Sequence, residues 1–136
     1  MTAGYSGTPL PRKLGVKEGT RLALLHAPDK FASSLGALPS RVAIRQRLGG
    51  EADVIVLFVT RFNRLKDDFA KAASMLPAGS GMLWIAWPKK AAKMDTDLDF
   101  DIVQKHGLAS GLVDTKICAI DETWSGLRFS RRKRSS

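Results

Sequence analysis

The chain has 136 residues, of which 44% are hydrophobic and 26% charged, and 22 Lys and Arg outnumber 13 Asp and Glu to give a formal net charge of +9. That is the make-up of one globular domain with a core of its own; no apolar run approaches the ~20 residues of a membrane span, so no membrane partner is expected. A single cysteine excludes an internal disulfide and, with only two histidines, leaves no ligand set for structural zinc.

The first residues, Met1 to Gly7, lack the basic start and apolar core of a secretory leader. Together with the lone Cys118, read as a small buried hydrophobe, this makes a reducing cytoplasm the expected location. Met1 to Pro11 is rich in Gly, Ser and Pro and reads as an extended arm. Residues 11–14 suit a helical turn ended by Gly15. Arg21 to His26 reads as a first strand stopped by Pro28, and Asp29 can cap a short helix carrying Phe31 and Leu35. Arg41 to Arg45 alternates wet and dry positions, as an edge strand does.

Asp53 to Thr60 follows the Gly49-Gly50 turn and organises the chain. Its six consecutive apolar residues, four of them β-branched, are too few for a buried helix. They predict a central strand covered on both faces, which belongs in a parallel sheet. Phe62, Leu65, Phe69, Ala72, Ala73 and Leu76 then recur at helical spacing up to Pro77 and Gly79. Met82 to Trp87 is a fourth strand. Thr96 to Asp99 reads as the capped start of a helix ending at Gly107, and His106, just before that end, as a favourable cation there. Val113 to Ile120 and Trp124 to Phe129, joined by Asp121-Glu122-Thr123, read as an antiparallel hairpin. The predicted fold is a single α/β domain over residues 1–130: a Rossmann-like, mostly parallel sheet of about six strands ending in a hairpin, with helices on both faces. Residues 131–136 form a basic tail.

Two resemblances accompany this reading. The words Gly4-Tyr5-Ser6-Gly7-Thr8-Pro9-Leu10, Lys13-Leu14-Gly15-Val16, Trp87-Pro88-Lys89-Lys90 and Asp121 to Phe129 resemble, over nearly the whole chain, a bacterial family of small proteins known as a domain of unknown function. That resemblance implies no activity. The lead-in Leu14 to Leu22 and the closing hairpin are similar to those of Rossmann-like methyltransferases, which implies a trimmed version of that sheet. In that fold a glycine-rich turn follows the first strand and an acid after the second holds a ribose. Here the turn is His26-Ala27-Pro28-Asp29, with no G-x-G, and Arg45-Gln46-Arg47 stands where the acid would be. Neither S-adenosylmethionine nor a nicotinamide dinucleotide is expected to bind in the usual way, and no cofactor is expected.

Ligands of open parallel sheets bind beyond the carboxyl ends of the strands. That edge should hold His26, Thr60-Arg61, Trp87, Lys89 and Lys90, with Asp121, Glu122, Thr123 and, at its margin, Trp124 from the hairpin turn. An imidazole, several cations, two acids and two indoles at one rim suit an anionic small molecule bearing phosphate or carboxylate. The first expectation is therefore a non-catalytic binding module using Arg61, Trp87, Lys89, Lys90, His26 and Asp121. Against it stands the plain alternative that basic residues follow strands because strand ends are wet. Asp121 equally suits a turn in which it caps backbone amides. The second expectation is a nucleic-acid-associated or scaffolding protein acting through its basic surface and Arg131, Arg132, Lys133 and Arg134, with salt-dependent, non-specific binding. The third is a degenerate transferase-like enzyme in which His26 works with Asp121. Asp95, Asp97, Asp99 and Asp101 do not make a calcium loop, because Phe100 and His106 occupy its glycine and acid positions. No metal site is expected.

Overall fold

In the computed structural model, which describes residues 8–132, the strand built from the apolar run is β3 (Val54–Phe58). It is buried along its whole length between β1 (Arg21–Leu25) and β4 (Met82–Pro88), and both run parallel to it. Two helical layers explain why neither face of β3 is polar. Ile55 and Leu57 lie under α3 (Phe62–Ser74) and α4 (Phe100–Ala109), in one core with Leu65, Phe69, Leu83, Ile85, Trp87 and Val103. Val54, Val56 and Phe58 face the other side, under α1 (Leu10–Leu14) and α2 (Phe31–Ser34), with Trp84 and Trp124.

The six strands stand in the order β2-β1-β3-β4-β6-β5. β2 (Ala43–Arg45) pairs parallel to β1, while β6 (Trp124–Arg131) runs antiparallel to both β4 and β5 (Leu112–Ala119). The fold class read from the sequence is the one observed. After β1 the chain goes outward to β2, then crosses back to β3 on the other side. The strand order therefore reverses at β1, where such sheets open their carboxyl edge.

Several local expectations are corrected. The helical turn expected at residues 11–14 and ended by Gly15 is α1; it begins one residue early, at Leu10, so the expected arm is shorter, and residues 1–7 of that arm lie outside the described ones; Leu10, Pro11 and Leu14 are buried. The Trp84 indole N–H donates to the Leu14 carbonyl across 3.0 Å and fastens that helix to the sheet. No side-chain hydrogen bond caps α2, so Asp29 does not do so. β2 is shorter than expected because Arg41 adopts a left-handed φ of 62°. Its Ile44, expected on a dry face, is 39% exposed.

α4 starts one turn late: Asp99 is its cap, accepting from the Ile102 amide at 2.9 Å. It also runs through Gly107 rather than ending there. A Cβ at 107 would lie 2.0 to 2.7 Å from three ring carbons of Phe129, so this glycine lets helix and sheet approach. It is a contact residue, not a stop signal. Cys118 is half-buried on the edge strand β5, and burial raises its thiol pKa.

Candidate functional site at the carboxyl edge

The parallel register of β1, β3 and β4 brings their carboxyl ends together. β6 pairs Trp124 with Pro88 and β5 ends opposite Ser125, so the turn after β5 lies at the same edge. His26, Thr60, Arg61, Lys89, Lys90 and Asp121 thus share one rim. Two strand spacings, roughly 10 Å, separate the ends of β1 and β4.

His26 is the fixed point of this rim. It follows β1 directly and adopts a left-handed φ of 57°, unusual for a residue other than glycine. Its imidazole Nε2 hydrogen-bonds the Asp68 carboxylate at 3.0 Å. Asp68 sits on the buried face of α3, only 5% exposed, whereas the His26 side chain is 51% exposed. A buried carboxylate needs a partner, and this one reaches across 42 residues of sequence to find it. Asp68 was not among the sequence candidates: an acid in a helix reads as solvent-facing. The available signal was its spacing, one residue before Phe69 and three after Leu65, on the flank of the apolar stripe.

The other rim residues differ in what they have free. The Arg61 guanidinium pairs with Asp95. The same loop secures the start of α3: Asp97 Oδ1 accepts from the Phe62 amide at 2.8 Å, and the Thr96 hydroxyl donates to the Thr60 carbonyl at 2.6 Å. Two of the four acids that look like a calcium loop therefore hold α3. Among the described residues no group of three or more His, Cys, Asp or Glu is placed to hold a metal ion. Trp87 is 5% exposed and sits in the core beneath α3 and α4, so it offers no open indole face. Lys89 is half-buried and its amide donates to the Thr123 carbonyl at 2.8 Å; Lys90 is exposed at the start of a short 3₁₀ turn, Lys90–Ala92. Neither lysine side chain has a hydrogen-bond or ion-pair partner among the described residues.

Asp121 Oδ1 accepts from the Thr123 and Trp124 amides, both at 2.8 Å, so it caps its own turn. Its neighbours Ile120 and Trp124 pack on the α1 and α2 side, whereas His26 bonds to α3 on the opposite face. The expected His26–Asp121 pair is therefore replaced by His26–Asp68. His106 is also reassigned. Its ring stands edge-on to Phe62 and Phe69, and burial, with Lys66 nearby, lowers its pKa, which disfavours the cation expected at the helix end.

Of the basic tail, Arg131 belongs to β6. Its guanidinium donates to the Ala73 and Leu76 carbonyls at 3.1 and 3.2 Å, closing the end of α3. Arg132 is exposed, while Lys133 and Arg134 lie outside the described residues. No described helix is long and apolar enough to cross a membrane.

No family model and no curated protein sequence matches the chain, so the resemblance to a family of unknown function rests on its four motifs. Solved structures do match. Magnesium protoporphyrin IX methyltransferase from Synechocystis PCC 6803, with bound S-adenosylmethionine, aligns over 85% of this chain and 71% of its own, at 12% identity and a TM-score of 0.58. Aeropyrum pernix fibrillarin, with natively bound S-adenosyl-L-methionine, aligns over 93% and 70%, at 16% identity and a TM-score of 0.58. TrmN from Thermus thermophilus aligns over 90% of this chain but 47% of its own, at 13% identity and 0.56. These likenesses show a methyltransferase-like fold. The residues present do not fit the cofactor named in two of those structures. A histidine locked to Asp68 stands in the turn where backbone should lie bare, and Arg45, whose guanidinium is bonded to the Gly49 carbonyl, ends β2 in place of an acid.

Proposed function

We propose that this protein is a small binding module that holds an anionic, phosphate- or carboxylate-bearing ligand at the carboxyl edge of its sheet. The observation that carries this reading is the His26–Asp68 pair. A half-exposed imidazole is fixed by a buried carboxylate at the point where strand order reverses, with two unpartnered lysines roughly two strand spacings away. In this reading Lys89 and Lys90 supply the charge and His26, as an imidazolium whose Nδ1–H is left free by Asp68, a directional hydrogen bond. Arg61 contributes only by leaving Asp95, and Trp87 and Asp121 shape the floor and the turn without touching the ligand.

The test is a residue-resolved titration with inorganic pyrophosphate. Saturable amide shifts at residues 26, 60 and 89–91 are expected. Lys89→Ala with Lys90→Ala should weaken them by about tenfold or more, the loss of two charge-assisted contacts, without lowering Tm. Equal affinity in the double variant refutes the reading. A transferase-like enzyme is the second reading. It is favoured by the same pair, since a carboxylate behind an imidazole orients it as a general base, and by the fold likeness. Here His26→Gln should abolish turnover of a candidate acceptor while leaving pyrophosphate binding within a few fold.

A further inference from the structure

The chain returns from β2 to β3 through residues 46–53 alone, whereas a crossover carrying a helix takes a dozen residues or more. The flank of β1 and β2 is therefore covered by a loop where a helix would otherwise lie. What remains is a cleft of about 420 Å³, within the size range of small-ligand sites. None of His26, Thr60, Arg61, Lys89, Lys90 and Asp121 lines it. Leu22 and Ala52 supply apolar lining, and Arg21, Arg45, Gln46 and Arg47 line it with donors.

The state of those arginines decides what the cleft can take. Arg21 is already matched: Asp53 accepts from its amide and guanidinium at 2.8 to 3.1 Å, and Glu51 approaches within 3.4 Å. Arg45 is held in place but not neutralised, because its acceptor is the uncharged Gly49 carbonyl. Gly50 makes room for it: a Cβ there would stand 2.9 Å from Arg45 Nη1. Arg47 is exposed and has no hydrogen-bond or ion-pair partner among the described residues. Two guanidinium groups, without a counter-charge among the described residues, and a neutral amide thus line a partly apolar recess. Arginine forks match tetrahedral oxyanions bidentately, and several donors are best satisfied by an ion with several acceptor oxygens.

We infer that this cleft is a second anion site, built for a small phosphate-bearing molecule with a compact apolar part. This cleft needs no ligand at the rim in order to bind its own.

The same pyrophosphate titration tests it at different residues. Saturable shifts of the 44–52 amides and of the Arg45 and Arg47 side-chain N–H signals are expected. Arg47→Gln, which breaks no bond in the fold, should weaken them by about tenfold. Arg45→Lys, which keeps the charge but loses the fork, should weaken them as well. Lys89→Ala with Lys90→Ala should leave them unchanged. The inference is overturned if these amides shift without saturating, if Arg47→Gln binds as tightly as the parent, or if the shifts appear only at residues 26, 60 and 89–91. It is overturned too if a short oligonucleotide moves the same amides at lower concentration than pyrophosphate does, since the site would then be a nucleic-acid groove.

Discussion

The His26–Asp68 pair can be weighed by a double-mutant cycle. His26→Ala leaves a carboxylate that is 5% exposed without its partner, at a cost of roughly 1–3 kcal/mol. Alanine also keeps the burden of a left-handed φ of 57°, about 1 kcal/mol. His26→Gly relieves that strain, although glycine's greater unfolded freedom takes some of it back, so it should be at least as stable as the alanine variant. Asp68→Ala is cheaper, near 1 kcal/mol, because the half-exposed imidazole it releases can turn to water. Removing both partners should cost less than the sum, with a coupling of about 1–2 kcal/mol. Urea unfolding followed by tryptophan fluorescence is a suitable assay, since Trp84, Trp87 and Trp124 are all buried. Additivity within ~0.5 kcal/mol would refute the pairing.

Gly107→Ala should destabilise by about 1–3 kcal/mol even though alanine is the better helix former, and Phe129→Leu should recover part of the loss; a stabilised single variant would mean that α4 does not approach Phe129. The lowered pKa of His106 means that the unfolded chain binds the proton first, so stability should fall as pH drops below about 6.5, and His106→Gln should flatten that slope in unfolding curves between pH 7 and 5. Asp53 has the usual sign for an acid: Arg21 lowers its pKa, so its contribution is complete above the ordinary carboxylate value and is lost as pH falls through the folded one. With both side chains more than a third exposed, that contribution should stay below ~1 kcal/mol, and Asp53→Asn should remove it. Deleting residues 133–136 should abolish any low-salt shift of generic DNA or RNA without changing Tm, whereas truncation after Phe129 should lower Tm, because Arg131 closes α3; equal Tm values would refute that role.

The sheet was legible because its signal is local. Six apolar residues at 54–59 can only be a strand covered twice, and the spacing from Phe62 to Leu76 can only be a helix lying on it. The candidate rim was legible in position but not in pairing. Parallel strands put His26, Arg61 and Lys89 at one edge, yet which acid meets which base depends on contacts 34 to 42 residues apart. Asp68 for His26 and Asp95 for Arg61 were invisible for that reason. Trp84 and Trp87 show the same limit. Three residues apart in a strand, they face opposite layers, and nothing in Trp-Pro-Lys-Lys says that the second layer closes over Trp87. Gly107 carries one letter for two jobs, helix end or close approach, and only the position of Phe129 distinguishes them.

The likeness to methyltransferases makes one further outcome decisive. A fold can be kept while its ligand contacts are exchanged, and here the exchanged positions carry specific costs. An acid after β2 accepts from both hydroxyls of a ribose; an arginine has donors only and can accept from neither. Losing two hydrogen bonds to a charged acceptor costs roughly 3–6 kcal/mol, which moves a micromolar ligand to about 100 μM or far weaker. The left-handed His26 adds a side chain, tied down by Asp68, where the backbone itself should approach. S-adenosylmethionine should therefore occupy at most about half of the wild-type chain at ~100 μM and should give no saturable heat or amide shift at ~10 μM, where a micromolar cofactor site would be nearly full. Saturable binding of the nucleoside with shifts centred on residues 26 and 45 would show that this edge has kept the cofactor chemistry of its structural neighbours, and the anion-binding reading of the rim would give way to the enzymatic one.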